Sequence, residues 1–182
     1  MLPEGGGSTA SAPDGPRRFV VQRHRATRLH YDLRFEIDGV LVSWAVPKGP
    51  TLNPAVRRLA IHVDDHDLDY LNFEGVHPGD GYGAGDVTVW DTGTWEPYKS
   101  DDPAAELAGG ELHARMFGTK LRGQMVLVRT GIRQGKEWWL LLHKHDEYAE
   151  PGFDAEDHPR SVLSGRTNDE VRRQAGVATK AP

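Results

Sequence analysis

The sequence predicts an all-β fold, a compact β-barrel of short antiparallel strands with little helix and disordered polar termini. The main signal is a series of short runs in which apolar and polar residues alternate. Turn residues such as Asp-Gly separate these runs, and helical periodicity is nearly absent. At 182 residues the chain is long enough for one domain with a core of its own.

The predicted elements follow one another at hairpin spacing, which is typical of a barrel or a sandwich. Short helices are predicted at Pro103–Ala108 and around Asp169–Gln174. Turns are predicted at Asp38-Gly39, Asp91–Gly93 and Arg133–Gly135. The predicted strands are Phe19–Gln22, Leu29–Ile37, Val40–Val46, Leu59–Val63, Val87–Trp90, Gln124–Thr130 and Glu137–His143.

Both ends of the chain are poorer in apolar residues than its middle. Residues 1–17 consist largely of Gly, Ser, Ala and Pro, which have little to bury, so we expect this segment to be disordered. Residues 150–182 are again polar and are interpreted as a C-terminal tail. The predicted folded body is therefore residues 18–149.

Composition excludes several kinds of protein. The chain has no cysteine, which rules out disulfides, a thiolate zinc site and a cysteine nucleophile. No run approaches the roughly 20 apolar residues of a membrane span, and no signal peptide is recognisable, so a cytoplasmic location is expected. The net charge is −5, but residues 1–60 carry 9 Lys and Arg against 5 Asp and Glu, and this basic part can face phosphates.

The first predicted hairpin separates an apolar face from a polar one. Asp38-Gly39 suits a type I′ turn, because both central positions need a positive φ. This turn sets Ile37 opposite Val40 and Tyr31 opposite Val46, on a face that should pack on the core. The other face has small neighbours, Ser43 and Ala45, beside a polar row made up of His30, Asp32, Arg34 and Glu36.

Three of the polar residues suit a metal ion. His30 and Asp32 are two positions apart on one strand, so both project from the same face. His24 precedes them by six residues, and the loop between can return it over that face. Two imidazoles and one carboxylate suit Mn²⁺, Fe²⁺ or Zn²⁺ and leave positions for water and substrate. We therefore predict a metal site at His24, His30 and Asp32.

Further residues near this site suit phosphate chemistry. Arg34 is next along the same face, and its planar guanidinium can bind two phosphate oxygens. His66 lies on a predicted loop and can titrate near neutral pH as a general acid. Arg58 opens another strand, where the residues alone favour a solvated pair with Arg57.

Longer motifs resemble the phosphoesterase domain of bacterial DNA ligase D. The resemblance covers the whole predicted body, from about residue 18 to 149, and indicates a stand-alone member or an excised domain. The motifs that carry it are Phe19–His24, Leu29–Arg34, Asp38–Leu41, Ser43–Pro50, Asp65-His66, Leu68–Tyr70, Phe73–Gly75, Tyr82–Gly85 and Trp90-Asp91.

The resemblance implies a β-barrel enzyme, usually Mn²⁺-dependent, that acts in double-strand-break repair by end joining; Co²⁺ or Zn²⁺ are alternative ions. The family heals 3′ ends at primer–template junctions. It removes a terminal ribonucleoside to leave a 3′-phosphate, and then removes the phosphate to leave a 3′-OH. The implied partners are nucleic-acid 3′ ends and an end-joining ligase or polymerase, with no membrane. We expect a monomer associated with the nucleoid.

The resemblance also implies a role for each site residue. It places the metal on His24, His30 and Asp32, and phosphate contacts on Arg34 and Arg58. His66 would stabilise the transition state or protonate the leaving group, and Tyr70 would lie beside the scissile phosphate. The family's upstream Arg-Asp pair has no counterpart in residues 1–17, so we expect ribonucleoside removal to suffer more than metal binding.

Two other functions stay open from the residues alone. Two histidines and a carboxylate on a β-barrel also describe non-haem Fe(II) oxygenases. Arginines beside the metal favour phosphate over this class, whereas iron-dependent O₂ uptake would favour it. A protein that binds 3′ ends with weakened catalysis, an end-binding adaptor, is the third alternative.

Overall fold

One antiparallel sheet makes up most of the chain that the computed structural model describes, residues 15–78 and 84–176. Its strands are β1 (Arg17–Arg25), β2 (Leu29–Ile37), β3 (Val40–Val46), β4 (Arg58–His66), β5 (Gly75–His77), β6 (Gly85–Pro97), β7 (Glu111–Gly118), β8 (Arg122–Arg133) and β9 (Lys136–His143). They run in the order β1-β2-β3-β4-β9-β8-β7-β6, and β6 pairs with β1. Eight strands thus close a barrel, and β5 adds to one end of β6. The predicted fold class is confirmed.

The first hairpin adopts the predicted turn and register. Asp38 and Gly39 have φ values of 52° and 83°, as a type I′ turn requires. Tyr31 pairs with Val46, and Ile37 pairs with Val40. Gln134 and Gly135 form a second positive-φ turn between β8 and β9, also where a turn is predicted.

Large aromatic side chains fill the barrel. Trp44, Trp90, Trp95 and Trp139 are all at most 2% exposed. The rings of Trp44 and Trp139 meet edge to face with centroids 5.4 Å apart, which is a favourable geometry for aromatic pairs. Because side chains alternate across a strand, this filled interior leaves the polar residues of the same strands on the outer surface.

The turn predicted at Asp91–Gly93 is wrong, because these residues lie inside β6. The pairing of β6 with β1 shifts by one residue at Trp90, which forms a β-bulge opposite Val21 and Gln22. Gly93 is needed there for close approach: a Cβ atom would lie 2.2 Å from the carbonyl oxygen of Phe117.

Asp91 is polar for a reason other than turn formation. Its buried carboxylate accepts hydrogen bonds from the backbone N–H groups of Thr119, Lys120 and Leu121 at 2.9, 3.1 and 2.7 Å. Asp91 therefore provides hydrogen-bond acceptors for three backbone N–H groups of the connection between β7 and β8, which would otherwise lack them.

Two strands have no counterpart among the predicted ones, namely β5 and β7. In β7 the inward residues Leu112, Ala114 and Met116 are buried and alternate with half-buried polar residues. A small alanine between His113 and Arg115 weakens this alternation in the sequence. β5 has only three residues, too few for a periodic signal.

Residues 150–176 pack on the barrel, so the folded body extends beyond residue 149. Phe153 and Ala155 belong to the main hydrophobic core. Helix α1 spans Pro103–Ala108, and helix α2 spans Asn168–Gln174 and begins with a capping box at Thr167. Disorder is predicted for residues 1–17, most of which lie outside the described residues. Residues 177–182 lie outside them as well. No helix within the described residues is long and apolar enough to cross a membrane.

Replacing Asp91 by Asn should lower the free energy of unfolding by about 2 kcal/mol, because an amide N–H₂ would face the buried N–H of Leu121. Urea unfolding followed by tryptophan fluorescence measures this change. Asp102 is the matched control, since its side chain accepts only the N–H of Ala105 as the cap of α1. Asn caps helices equally well, so Asp102→Asn should change stability by less than about 0.5 kcal/mol. Equal losses in both variants would contradict this role of Asp91.

Candidate metal centre

The predicted metal ligands meet on the outer face of the barrel. Antiparallel pairing places His24 of β1 directly opposite His30 of β2, and their ring centroids are 4.9 Å apart. Asp32 is two residues further along β2 on the same face. The tight connection between β1 and β2 thus brings His24 next to His30, as predicted.

The three side chains are spaced as neighbouring ligands of one ion. Asp32 Oδ1 lies 3.2 Å from His30 Nε2, and Asp32 Oδ2 lies 3.5 Å from His24 Nδ1. One donor atom from each residue lies within 4.8 Å of the others. Ligands bound at about 2.0–2.2 Å from an ion stand about 3 Å or slightly more apart, so this cluster can hold a metal.

Backbone carbonyls orient both imidazoles for such an ion. His24 Nε2 lies 3.1 Å from the carbonyl oxygen of Ala84, and His30 Nδ1 lies 3.2 Å from that of Arg28. A carbonyl oxygen only accepts, so these two nitrogens carry the protons. His24 Nδ1 and His30 Nε2 are then the nitrogens that face Asp32: with an ion bound their lone pairs would ligate it, and without one they can carry protons and donate to the carboxylate.

The charges at the cluster favour a cation. Burial alone would raise the pKa of Asp32, but hydrogen bonds from both histidines and the charge of Arg34 lower it well below its usual range. Burial lowers the pKa of His30, but the hydrogen bond and the charge of Asp32 outweigh burial and raise it. Between His30 Nε2 and Asp32 a proton and a metal therefore compete for one position.

Arg34 lies beside the cluster and is held on several sides. Its Nη2 is 3.4 Å from Asp32 Oδ2, its Nε donates to Gln22 Oε1 at 2.7 Å, and its Nη1 donates to Ser43 Oγ at 2.9 Å. The guanidinium thus fills the space beside the small side chain of Ser43 and is only 4% exposed.

A short 3₁₀ turn at Leu68–Asn72 covers this face and brings Tyr70 to Arg34. The Arg34 Cζ lies 5.0 Å from the centre of the Tyr70 ring. His66 joins them: its Nδ1 is 3.1 Å from Arg34 Nη1, and its ring centroid is 5.0 Å from that of Tyr70. Burial and the charge of Arg34 lower the pKa of His66, while burial raises that of Tyr70. At neutral pH the site thus offers a neutral imidazole and a protonated phenol.

The structure does not bring Arg58 to this group. Arg58 shares a face of β4 with Ala60, which is fully buried in the barrel core. Its Nε donates to the carbonyl oxygen of Gly49 at 3.1 Å. Arg34 and Arg58 therefore lie on opposite faces of the sheet.

Sequence reasoning missed two residues of this site. Gln22 is fully buried, accepts from Arg34, and donates to the carbonyl oxygens of Tyr70 and Phe73 at 2.9 and 3.3 Å. The sequence did hold a signal for Gln22, because a glutamine stands inside an apolar run two residues before His24. His77 lies 2.7 Å from the Tyr70 hydroxyl, and its strand β5 gave no signal in the sequence.

The chain matches the family model of the DNA ligase D 3′-phosphoesterase domain over residues 22–129. It is 51% identical over 156 residues to the multifunctional non-homologous end joining protein LigD of Pseudomonas aeruginosa, with 84% of this chain and 18% of that protein aligned. It is 48% identical over 127 residues to the multifunctional non-homologous end joining DNA repair protein LigD of Mycobacterium tuberculosis, covering 69% of this chain and 16% of that protein. The chain thus spans less than a fifth of the length of these relatives.

Removing any ligand of the cluster should abolish metal binding without unfolding the barrel. Isothermal titration with Mn²⁺, Co²⁺ or Zn²⁺ should give one site in the wild type. His24→Ala, His30→Ala or Asp32→Asn should weaken that site by more than about 100-fold. His66→Ala is the control and should keep the affinity within about threefold. An affinity that survives loss of His30 would rule out this cluster.

Gln22→Leu should lower the free energy of unfolding by about 2–3 kcal/mol, since Arg34 Nε and two turn carbonyls lose their buried partner. Hydrogen exchange of the amides in the 3₁₀ turn should also speed up. Gln124→Leu, on the distant strand β8, is the matched control and should stay within about 0.5 kcal/mol. Unchanged exchange in the turn would refute a tethering role for Gln22.

Proposed function

Since the chain belongs to the DNA ligase D 3′-phosphoesterase domain family, we propose that it is a metal-dependent phosphoesterase that heals 3′ ends of nucleic-acid strands. It removes a 3′-terminal ribonucleoside to leave a 3′-phosphate, and then removes that phosphate to leave a 3′-OH. One observation above all supports this proposal. Arg34 Nη2 lies 3.4 Å from the same carboxylate that both histidines contact, so an anion at the metal cluster is within reach of a guanidinium.

We propose Mn²⁺ as the ion, with Co²⁺ or Zn²⁺ as alternatives, because two imidazoles and one carboxylate suit these metals. His24 Nδ1, His30 Nε2 and the Asp32 carboxylate would hold it. When bound, the ion supplies positive charge that polarises the phosphate and lowers the pKa of coordinated water.

Arg34 acts on the charge that develops on the phosphate oxygens. Its contacts with Gln22 and Ser43 fix the guanidinium before substrate arrives. Such preorganised charge stabilises a transition state without reorganising during the reaction. Lysine cannot replace it, because an ammonium lacks the planar fork of donors.

His66 is proposed to stabilise the leaving oxygen in the transition state by donating a hydrogen bond to it. Its Nδ1 lies near both Arg34 Nη1 and the carbonyl oxygen of Asp64, each at 3.1 Å. A guanidinium only donates, so in the tautomer that accepts from Arg34 the proton is on Nε2. From there Nε2–H can donate a hydrogen bond to the departing oxygen, which is the nucleoside 5′-oxygen in the first step and the 3′-oxygen in the second. Tyr70, above Arg34, is proposed to donate a hydrogen bond to the same phosphate.

The proposed setting is double-strand-break repair by end joining, with primer–template 3′ ends as substrate and an end-joining ligase or polymerase as partner. The names of the relatives support this setting for proteins more than five times as long as the aligned segment. The triad alone would also suit a non-haem Fe(II) oxygenase. Arg34, His66 and Tyr70 surround it with groups that bind an anion, and we therefore prefer phosphate ester hydrolysis.

The proposal is tested with a 5′-labelled primer–template that ends in one 3′-ribonucleotide. With Mn²⁺ the wild type should convert it to a 3′-phosphate and then to a 3′-OH, and EDTA should prevent both steps. His30→Ala should abolish turnover, and Arg34→Lys should lower kcat/KM by about 100-fold. Arg115→Lys, at a half-exposed arginine of β7, is the matched control and should behave like the wild type.

The products of this assay distinguish the proposed phosphoesterase from the alternative functions. Conversion of a preformed 3′-phosphate alone would restrict the function to phosphate removal. Tight binding of 3′-phosphate ends without turnover in any divalent metal would refute the enzyme and favour the adaptor. Iron-dependent O₂ uptake would favour the oxygenase.

A further inference from the structure

Tyr70 and His77 form a flat, hydrogen-bonded pair beside the metal cluster. The Tyr70 hydroxyl lies 2.7 Å from His77 Nε2, and the two rings are within 5° of parallel with centroids 6.1 Å apart. Phe73 stacks on both, 4.9 Å from Tyr70 and 4.7 Å from His77. Phe73 therefore sets the plane of the pair, and the hydrogen bond sets the direction of the hydroxyl within it.

The backbone places His77 independently of Tyr70. His77 ends β5, where it pairs with Gly85 of β6, whereas Tyr70 belongs to the 3₁₀ turn that Gln22 holds. Two separately anchored segments thus meet through one side-chain hydrogen bond. This arrangement differs from a chance surface contact, since the segment of each partner is held by contacts of its own.

The pair is a wall of the candidate site. The His77 ring lies 6.4 Å from the ring of His24, centre to centre. At the other end, Tyr70 faces the Arg34 guanidinium and the His66 ring, each at 5.0 Å. A phosphate bound beside both the metal cluster and Arg34 would therefore meet this wall, which includes the Tyr70 hydroxyl.

The direction of the Tyr70 proton decides what this hydroxyl can do. Phosphate oxygens only accept hydrogen bonds, so Tyr70 helps to bind them only if its single proton is directed at them. If that proton is donated to His77, none is left for phosphate. If His77 donates Nε2–H to the phenolic oxygen, the Tyr70 proton is released for phosphate, and chained donors of this kind strengthen one another.

We propose that His77 is a positioning residue that donates Nε2–H to Tyr70 and so directs the Tyr70 hydroxyl proton at the substrate phosphate. This inference rests on the proposed function and deepens it at the same site. It requires the tautomer of His77 with the proton on Nε2, which is the opposite choice from His30, where Nδ1 carries the proton.

A double-mutant cycle tests the coupling. With a 3′-phosphate primer and Mn²⁺, His77→Phe should lower kcat/KM by about five- to tenfold, the usual effect of one hydrogen bond. Phenylalanine keeps the stack on Phe73. In the Tyr70→Phe background the same change should have less than a twofold effect, because the hydroxyl is already absent. His77→Gln should return kcat/KM to within about threefold of the wild type, since its amide can donate near the position of Nε2.

Two controls separate this role from others. His62→Phe removes a half-exposed histidine on the core side of β4 and should leave kcat/KM unchanged. His77→Phe should also keep the Mn²⁺ affinity within twofold. A tenfold loss of Mn²⁺ affinity would make His77 a metal ligand and overturn the proposal. An equal loss of activity in both Tyr70 backgrounds would overturn it as well.

Nitrogen NMR of the wild-type protein tests the tautomer of His77 directly. This test depends neither on turnover nor on whether a variant folds. With inorganic phosphate bound, the ¹⁵N shifts of His77 should show a protonated Nε2 and an unprotonated Nδ1. The reverse tautomer would overturn the inference. A wild type without phosphoesterase activity would refute the proposed function, whereas an active wild type with an additive cycle would refute only the role of His77.

Discussion

Antiparallel pairing between β1 and β2 places His24 opposite His30 and Gln22 opposite Asp32. This register determines how the side chains of the candidate site are arranged. A shift by one residue would turn every one of these side chains into the barrel. The interior has no room for them, because tryptophans already fill it. The apolar core and the polar site thus enforce each other: packing on one face of the hairpin fixes which residues stand on the other.

Charge balance explains why so many ionisable groups are tolerated together. Asp32 and Arg34 are both nearly buried, and each offsets the other's charge. The pair alone is neutral, so a divalent ion at the cluster would leave an excess of two positive charges. A phosphate monoester dianion balances that excess. This balance supports the proposed use of ion and phosphate together, whereas phosphate alone would meet an arginine already paired with Asp32.

The sequence predicted the parts of this molecule that local rules control. The Asp38-Gly39 turn needs only backbone sterics, and the alternation of β2 needs only the strand period. The hairpin and the face that carries His30 and Asp32 could therefore be predicted without knowing the rest of the fold. Asp91 misled because Asp-Thr-Gly is typical of turns, while its partners are N–H groups about 30 residues away in the chain. Arg58 shows the same limit: its strand was predicted, but the face that it occupies depends on the pairing of β4 with β3 and β9. His77 depends on the three-residue strand β5.

The polar C-terminal segment was interpreted only as a tail, and its contacts show what composition does not reveal. Asp86 is fully buried and receives hydrogen bonds from Arg25, Arg172 and the Asn168 amide at 2.6–3.0 Å. Burial raises the pKa of Asp86, but these partners lower it, so the carboxylate stays charged and tied to α2. Asp86 is the second residue of β6 and lies two positions after Ala84, whose carbonyl orients His24. The polar C-terminal residues thus hold the backbone that orients His24, a candidate metal ligand, and the C-terminal segment supports the candidate site.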